Sequence, residues 1–449
     1  MNFKRSVLAL VVLMVFSAQA AVAQEKAEIP AFDSSKQCTL KDAVERSLAA
    51  NPDMIGARAA LSGSEKGVYK ATSDMLPTAS LTYGWTHLDQ HPEALGVQAG
   101  DQEYWSSNIK VTQPIFKGFG LLSARQRAKL TEEQTTAKLD NVELQLINAV
   151  QSTFVGLIEA RMKVKSAEDS VERLKSQQKV TQAFYDVGLN PRVDVLDSEV
   201  KLAQAELELL SSRNNVSTTE ARLNTLLNLP LSDAVNYVGD LEFPDFTKTL
   251  EESLAAAFKK RPDLLIGKKS VQIAMEDVDL AEAGFYPGVD AVYNYNSKGD
   301  DPLTSKSKYN THNGEDNWNV GLQMSWNFFE SGSDYFARAQ ALDGVKEVAA
   351  QLEKTRLDAG YEVKNAFLKL TEARDRITVA NKSVEAAREA YRMQVARYQA
   401  QVGTNNDVLD AQDRVTSSEA DLISAKADFA RSQASLYQAM GERNIDLGM

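Results

Sequence analysis

The sequence has few of the residues from which catalytic and metal sites are built. Its 449 residues include one cysteine and three histidines. Cys38 therefore has no internal disulfide partner, and the histidines lack the close spacing of a zinc site. Gly118-Phe119-Gly120 does not make a dinucleotide-binding loop, because the third glycine is absent. We expect no enzymatic activity, no cofactor and no resident metal ion.

The sequence also lacks clustered positive charge and, beyond its first residues, long apolar runs. The net charge is −12, and removing Lys4 and Arg5 together with segment 1–23 changes it to −14. Nucleic acid is therefore not an expected partner, since phosphate binding requires clustered Lys and Arg. No stretch after residue 23 approaches the roughly 18 to 20 apolar residues of a membrane-spanning helix.

Residues 1–23 have the pattern of a secretory signal peptide. Lys4 and Arg5 precede an apolar core, and Ala21-Val22-Ala23 supplies the small residues that signal peptidase requires. Residues 24–38 are predicted to form a short leader after the cleavage site. An exported chain without a spanning helix is either soluble or crosses a membrane as β-strands.

The remaining chain contains one sequence pattern twice. Trp105 matches Trp318, and Asp194–Asp197 matches Asp407–Asp410 at the same separation along the chain. Each copy is predicted to contain a helix, a pair of strands and a long helical hairpin. The chain is thus predicted to comprise repeat 1 at 39–230 (strands about 78–116, hairpin about 119–229), a linker at 231–248, repeat 2 at 249–441 (strands about 288–329, hairpin about 333–441) and a tail at 442–449.

The predicted strands alternate apolar and polar side chains. The last strand is the clearest example, with six apolar residues on one face: Trp318, Val320, Leu322, Met324, Trp326 and Phe328. Such long alternation, with aromatic residues near the ends, is typical of transmembrane barrel strands. A half-buried strand of a soluble antiparallel sheet alternates in the same way, so the strands alone leave both interpretations open.

The long helices favour the membrane interpretation. Residues 119–185 contain no proline, and their apolar and small residues recur at spacings of three and four, as in a coiled coil. A helix of this length is a rod of roughly 100 Å, which suits a periplasm-spanning structure better than a compact core. Four strands cannot close a barrel in lipid, so the chain must pool strands with other copies. Two copies would pool eight strands and three copies twelve, and this arithmetic does not choose between them.

Several local motifs resemble those of the TolC-like outer-membrane efflux proteins, the outer membrane factor family. They are the helix-to-strand corners Leu76-Pro77 and Tyr286-Pro287, the turns 114–118 and 327–332, and the helix tips 185–197 and 398–412. The resemblance implies a mixed α and β membrane protein in which three chains supply four strands each to a 12-stranded transmembrane β-barrel in outer-membrane lipid. A long α-helical coiled-coil barrel would continue this barrel into the periplasm.

The resemblance also implies a function without catalysis. Members of the family are passive channel or duct subunits of tripartite efflux pumps or type I secretion systems. We therefore expect a homotrimer that docks to an inner-membrane transporter through a periplasmic adaptor (membrane fusion) protein. The alternative is a structural or adhesive periplasmic coiled-coil outer-membrane protein. The sequence leaves the cargo open.

The helix tips are the candidate functional region, because a duct of this kind is gated at its periplasmic end. Asp194 and Asp197 lie one helical turn apart, as do Asp407 and Asp410, so three chains would gather rings of carboxylates. Such rings favour cations. In the alternative interpretation, these aspartates only complement the positive N-terminal end of a helix, which is worth about 0.3 to 1 kcal/mol each.

The resemblance assigns roles to individual residues at the tips. It places Asp407 and Asp410 at the acidic constriction, and it places Asp194 and Tyr398 in the contacts that hold the tips closed. Asp197 and Tyr185 of repeat 1 correspond to Asp410 and Tyr398 of repeat 2, and they are included in the candidate gate. The residues expected to contact the adaptor are Gly188, Leu189, Val402 and Gly403.

Details of the two turns lead to three further expectations. Asn190 and Pro191 are predicted to be the N-cap and first-turn proline of the first return helix. Gln401 stands where repeat 1 has Gly188, so we expect the second turn to have a different shape. Some family members have an arginine at the position of Gly403, where it locks the closed state by pairing with an aspartate. Without it, we expect a closed state held less firmly or by other contacts.

Overall fold

A computed structural model describes residues 37–94, 97–98, 102–242, 244, 246–299 and 317–447. The predicted signal peptide and most of the predicted leader lie outside the described residues. Residues 300–316, within the predicted strand pair of repeat 2, also lie outside them. No helix in the part of the chain that the structure describes is both long enough and apolar enough to cross a membrane.

The two halves of the chain have their main elements in the same order. The first half contains β1 (Gln37–Cys38), α1 (Leu40–Ala50), α2 (Pro52–Ser73), β2 (Thr78–His87), β3 (Glu93–Ala94), β4 (Val97–Gln98), β5 (Glu103–Lys117), α3 (Gly120–Asp186) and α4 (Arg192–Leu226). The second half contains β6 (Asn236–Tyr237), α5 (Leu250–Lys260), α6 (Pro262–Glu282), a short 3-10 helix (Ala283–Phe285), β7 (Gly288–Gly299), β8 (Asn317–Ser325), α7 (Ser333–Gln399) and α8 (Asn405–Ala439). Helices α3 and α7 have 67 residues each, and α4 and α8 have 35 each.

The structure has two helices where the sequence predicted one before each pair of strands. Helix α1 ends at Ala50, the following Asn51 is extended because Pro52 comes after it, and Pro52 occupies the first turn of α2. Arg261 and Pro262 separate α5 from α6 in the same way. The prediction of one helix before each pair of strands was therefore wrong in both halves. Pro52 and Pro262, which cause the two breaks, were visible in the sequence.

The four long strands form one antiparallel sheet in the order β2-β5-β7-β8. Its apolar face is exposed in this single chain, with Trp85 and Trp318 near one end. Its other face has hydrogen-bonded asparagines: Asn294 donates to Asn319 at 3.0 Å and Asn296 donates to Asn317 at 3.1 Å. The two edge strands, β2 and β8, each have one side without a partner strand among the described residues.

One corner between strand and helix joins the two halves. Gly118 has a φ of +60°, and a Cβ atom built on it would lie only 2.4 Å from the carbonyl oxygen of Ala283. Only glycine fits both the left-handed backbone and this close approach. Nearby, the ring of Phe119 packs edge-on against Tyr286 of the second half.

The four long helices lie side by side in the order α4-α3-α8-α7. Helix α3 packs along both α4 and α8, and α7 packs along α8. The main hydrophobic core lies well away from the tips. In this core, Phe154 of α3 meets Leu223 of α4 and Tyr237 of β6. This core lies beside the middle of α3 and near the C-terminal ends of α4 and α8, far from the two sharp turns.

Candidate functional site at the helix tips

The turns that join α3 to α4 and α7 to α8 have the same backbone geometry. Gly188 has a φ of +79° and Gln401 a φ of +61°. In the first turn, Leu189 N donates to Phe184 O and Gly188 N donates to Tyr185 O, both at 2.8 Å. This is the Schellman pattern of helix ends, and the turn at Gln401 repeats it. The expectation that the second turn has a different shape was therefore wrong.

The physical reason is that backbone hydrogen bonds outweigh the preference of a single side chain. A non-glycine residue in the left-handed region costs roughly 1 to 2 kcal/mol. The Schellman turn satisfies two carbonyl groups that the helix end would otherwise leave unpaired. Gln401 accepts the strained conformation, and its side chain is exposed to solvent.

The two return helices begin differently. Pro191, with φ −76° and ψ 157°, holds the N-cap position of α4 and makes no side-chain cap. The prediction that Asn190 is the N-cap was wrong by one residue. Asn190 instead donates its Nδ2–H to the hydroxyl oxygen of Tyr398 at 2.6 Å, so its side chain joins the first tip to the second.

Helix α8 begins with a complete capping box. Asp407 N donates to Thr404 Oγ1 at 3.2 Å. In return, Asp407 Oδ2 accepts from Thr404 N at 3.0 Å and from Thr404 Oγ1 at 2.8 Å. These two hydrogen bonds from Thr404 lower the pKa of Asp407 below its ordinary value. The structure thus gives Asp407 a helix-capping contact. This agrees with the alternative interpretation, in which the aspartates stabilise the N-terminal end of a helix.

The corresponding residue of the first tip, Asp194, has no such box. Pro191 offers neither a hydroxyl nor an N–H group to its carboxylate. Partial burial and the nearby carboxylate of Asp197 raise the pKa of Asp194 above its ordinary value. Asp194 and Asp197 are half-buried, whereas Asp410 is exposed one turn beyond Asp407.

The two tip tyrosines also have different surroundings. Tyr185 is 39% exposed, whereas Tyr398 is only 3% exposed and packs against Phe184 with ring centroids 5.4 Å apart. Within this chain, the Tyr398 hydroxyl contacts Asn190 and Thr181, and it donates to Thr181 Oγ1 at 3.2 Å. These contacts join the tips, but they do not involve the Asp194 carboxylate.

Asn405 is the tip residue that the sequence interpretation missed. It is the first residue of α8, it is 1% exposed, and its side-chain amide reaches both α3 and α4. The available signal was its spacing, because Asn405 continues the apolar seam of Val408, Ala411 and Val415 toward the tip. A polar residue at a seam position of a coiled coil requires a specific partner.

A second polar layer lies further from the tips. The Glu419 carboxylate of α8 accepts from Arg388 of α7 at 2.7 Å and lies 3.5 Å from a guanidinium nitrogen of Arg173 of α3. The side chains of Glu419 and Arg173 are only 11% and 26% exposed, so water screens this pair less than a surface pair, whereas Arg388 is 65% exposed. Polar contacts therefore hold the helices together at more than one level.

The predicted adaptor contacts lie at the surface of the tips. Leu189 and Val402 are 54% and 67% exposed, and Gly188 is also exposed. A Cβ atom built on Gly403 would lie 3.2 Å from Arg397 Cβ, and the Arg397 guanidinium donates to the carbonyl oxygen of Val402. Arg397 therefore brings a positive charge to the turn from one helical turn earlier.

No group of three or more His, Cys, Asp or Glu residues that could hold a metal ion occurs among the described residues. Among the described residues of one chain, the tip aspartates therefore do not form a metal-binding site. Their possible chemistry is that of fixed negative charges, hydrogen-bond acceptors and helix caps.

Comparisons with known proteins identify the family. The family described as "Outer membrane efflux protein" matches residues 43–229 and 254–442. The outer membrane protein TolC of Vibrio cholerae serotype O1 is 21% identical over 87% of this chain and 88% of that protein. The alkaline protease secretion protein AprF of Pseudomonas aeruginosa is 21% identical over 75% of this chain and 69% of that protein.

Solved structures have the same fold. The crystal structure of the outer membrane protein VceC from Vibrio cholerae matches with a TM-score of 0.79 at 17% identity, covering 90% of this chain and 96% of that chain. The predicted family and the outer-membrane location with a periplasmic extension are confirmed. The two matched segments together span most of the sequence, and the chain belongs to the outer membrane efflux protein family.

Proposed function

We propose that this outer membrane efflux protein forms a homotrimeric passive duct that is gated at its periplasmic helix tips. The observation that carries the proposal is the sheet whose edge strands, β2 and β8, each have one side without a partner strand in the part of the chain that the structure describes. A sheet in lipid must satisfy every backbone N–H and C=O group, so these edges require further strands. Three copies with four strands each would close a 12-stranded barrel, with β8 of one chain beside β2 of the next.

The helices support the same assembly. Helices α4 and α7 are at the two sides of the four-helix layer. Five apolar residues along α4 are exposed at coiled-coil spacing: Val193, Leu196, Val200, Leu207 and Leu210. Helix α7 also exposes apolar residues, among them Leu368, Val379 and Met393. Packing α4 of one chain against α7 of the next would bury both sets and close a helical barrel. The similar order and length of the elements in each half support the proposed tandem repeat.

The acidic residues at the tips support a gate that favours cations. Three copies of Asp407 and Asp410 would form rings of carboxylates, and the pair Asp194 and Asp197 would add to them. The capping role of Asp407 is compatible with this proposal, because a carboxylate that caps a helix keeps its negative charge. Closely spaced carboxylates attract cations and can bind a blocking polyvalent ion.

The proposed partners are a periplasmic adaptor and an inner-membrane transporter. Leu189 and Val402 are exposed apolar residues at the ends of the hairpins, where an adaptor would dock. AprF is a secretion protein by name and the matching family is one of efflux proteins, so both type I secretion and small-molecule efflux are open to this chain. We propose that the duct itself has no catalytic activity.

Single-channel conductance in a planar bilayer tests the proposal. Purified wild-type protein should give discrete, cation-selective openings that polyvalent cations block. In Asp407→Ala/Asp410→Ala, cation selectivity and block should both decrease. Asp186→Ala is the matched control, because Asp186 is an exposed acid at the end of α3 and should leave selectivity unchanged.

Two results would contradict parts of the proposal. Openings with unchanged selectivity in the double variant would leave the duct but limit these aspartates to helix capping. Absence of conductance from a folded, membrane-extracted oligomer would instead favour the structural or adhesive alternative.

A further inference from the structure

We infer that Asn405 is a positioning residue that holds the tip of the second hairpin against the first in the closed state. The inference rests on the proposed gate at the helix tips. It identifies a contact that can hold the closed state where Gly403 provides no side chain. The contacts that carry it lie within one chain, and those with Gln177, Thr181 and Ser198 are buried.

The Asn405 amide has partners on two other helices. Its Oδ1 accepts from Gln177 Nε2 of α3 at 2.9 Å and lies 3.1 Å from Thr181 Oγ1. Its Nδ2 donates to the carbonyl oxygen of Asp194 and to Ser198 Oγ of α4, both at 3.0 Å. An asparagine side chain has two donor hydrogens and an acceptor oxygen, and both donors and the oxygen have partners here.

The fourth long helix joins this cluster through Thr181. The Tyr398 hydroxyl of α7 donates to Thr181 Oγ1, and Asn190 donates to the same tyrosine hydroxyl. Asn405 is thus the centre of a hydrogen-bond network that contacts all four long helices at their tips. Gln177, Thr181 and Ser198 are each at most 6% exposed, so the network is shielded from solvent.

This network can open and close reversibly because its members are polar. If the α7–α8 tip moves away from α3 and α4, each separated group can bond to water instead. While the tips are together, removing one partner leaves the others buried and unsatisfied, which disfavours the closed state. An uncharged amide also makes these contacts insensitive to pH and to salt, unlike an arginine–aspartate pair.

The first test compares Asn405→Asp with Asn406→Asp. Aspartate has almost the shape of asparagine and suits the first turn of a helix, so α8 should still form. Asn405→Asp loses both Nδ2–H donors and brings a carboxylate against the carbonyl oxygen of Asp194. Asn406 is the exposed neighbour, so its variant adds the same charge at the same helix end without touching the network.

The expected result is an increase in the open fraction of single-channel recordings on the order of tenfold for Asn405→Asp, which corresponds to about 1.4 kcal/mol. Asn406→Asp should behave as wild type. Thr181→Val removes one hydroxyl from the opposite helix without changing side-chain size, and it should raise the open fraction less. Equal open fractions in Asn405→Asp and Asn406→Asp would overturn the inference. If Asn405→Asp does not fold, the Thr181→Val comparison with wild type decides in the same way.

Hydrogen–deuterium exchange of the tip amides gives a readout that does not depend on conductance. Peptides covering 177–200 and 398–412 should exchange faster in Asn405→Asp than in Asn406→Asp. Equal exchange would contradict the inference even if both variants conduct. If wild type fails to conduct, the proposed duct fails, while the exchange comparison still decides whether Asn405 holds the tips together.

Discussion

The two helix tips share a backbone turn but differ in nearly every side-chain contact. Asp194 and Asp407 hold corresponding positions, yet only Asp407 is part of a capping box. The difference comes from the residue three positions earlier, which is Pro191 in one tip and Thr404 in the other. Corresponding residues in the two halves therefore have different roles when the neighbours that would bond to them differ.

The tyrosines and the amides at the tips show the same asymmetry. Tyr398 is buried in a hydrogen-bond network, whereas Tyr185 faces solvent. Asn405 enters the seam between helices, and the corresponding residue of the first tip, Arg192, is exposed. The second tip thus inserts its polar groups between the helices of the first, and the first tip acts mainly as the receiving surface.

The largest difference between the tips is expected for the tyrosine hydroxyls. Tyr398→Phe should lower the free energy of unfolding by about 1 to 3 kcal/mol, because Asn190 and Thr181 lose a shared partner in a buried site. Tyr185→Phe should change it by less than about 0.5 kcal/mol. Thermal unfolding of the detergent-solubilised protein measures both. Equal midpoints for the two variants would show that the network around Tyr398 does not stabilise the fold.

The next largest effect is expected at the cap of α8. Thr404→Ala should cost about 1 kcal/mol, because it removes the side chain that bonds to Asp407 N. Thr404→Ser keeps a hydroxyl at this position and should retain most of the stability. The same unfolding measurement checks the pair, and a loss as large in the serine variant would argue against the capping box as the cause.

A smaller effect is expected from exchanging the residues of the left-handed turns. Gln401→Gly should stabilise the protein by a few tenths to about 1 kcal/mol, because glycine adopts a positive φ without steric cost. Gly188→Gln should destabilise it by a similar amount. Opposite shifts of the unfolding midpoint would confirm that the turns are equivalent, whereas shifts of the same sign would show that their strain differs.

The smallest effect is expected from pH, because both aspartates lie close to water. The pKa of Asp194 is raised, so its contribution to stability is present below its ordinary pKa and is lost as pH rises through the raised value. The pKa of Asp407 is lowered, so its contribution is present above its ordinary pKa and is lost as pH falls through the lowered value. At neutral pH, Asp194→Asn should therefore stabilise and Asp407→Asn destabilise.

The corresponding measurement is the unfolding midpoint between about pH 3 and pH 7, around the ordinary aspartate pKa. The advantage of Asp194→Asn over wild type should shrink on acidification, and so should the disadvantage of Asp407→Asn. Parallel pH profiles for both variants and wild type would remove the electrostatic distinction between the two tips.

The long elements could be predicted from the sequence because their signals persist over many residues. The period-2 alternation around Trp318 and the seam of α3 each repeat many times, so single exceptions do not obscure them. The helix break at Pro52 depends on one residue and was missed, although the physical rule for it is local. The helix-to-helix turn at Gln401 was judged by one side chain, whereas backbone hydrogen bonds determined its geometry.

The site was predicted less completely because its partners are far apart in the sequence. Asn405 and Gln177 are separated by 228 residues, and Asn405 and Ser198 by 207. Local patterns cannot pair such residues. Asparagine is a favoured N-cap residue. The side chain of Asn190 instead forms a hydrogen bond with Tyr398, which is far away in the sequence. The acidic pairs were visible by spacing alone, while the difference between Asp194 and Asp407 required knowledge of the cap in each tip.

The open edges of the β2-β5-β7-β8 sheet have a consequence for how the chain matures. A lone folded copy would expose the outward N–H and C=O groups of β2 and β8, which have no further partner strand among the described residues, beside an apolar surface. Such an edge is a template for aggregation. Folding of the sheet, entry into lipid and association of chains should therefore be coupled. The stability of the strand region would then depend on how many chains are present, so a shortage of newly exported copies would leave each one vulnerable to proteolysis.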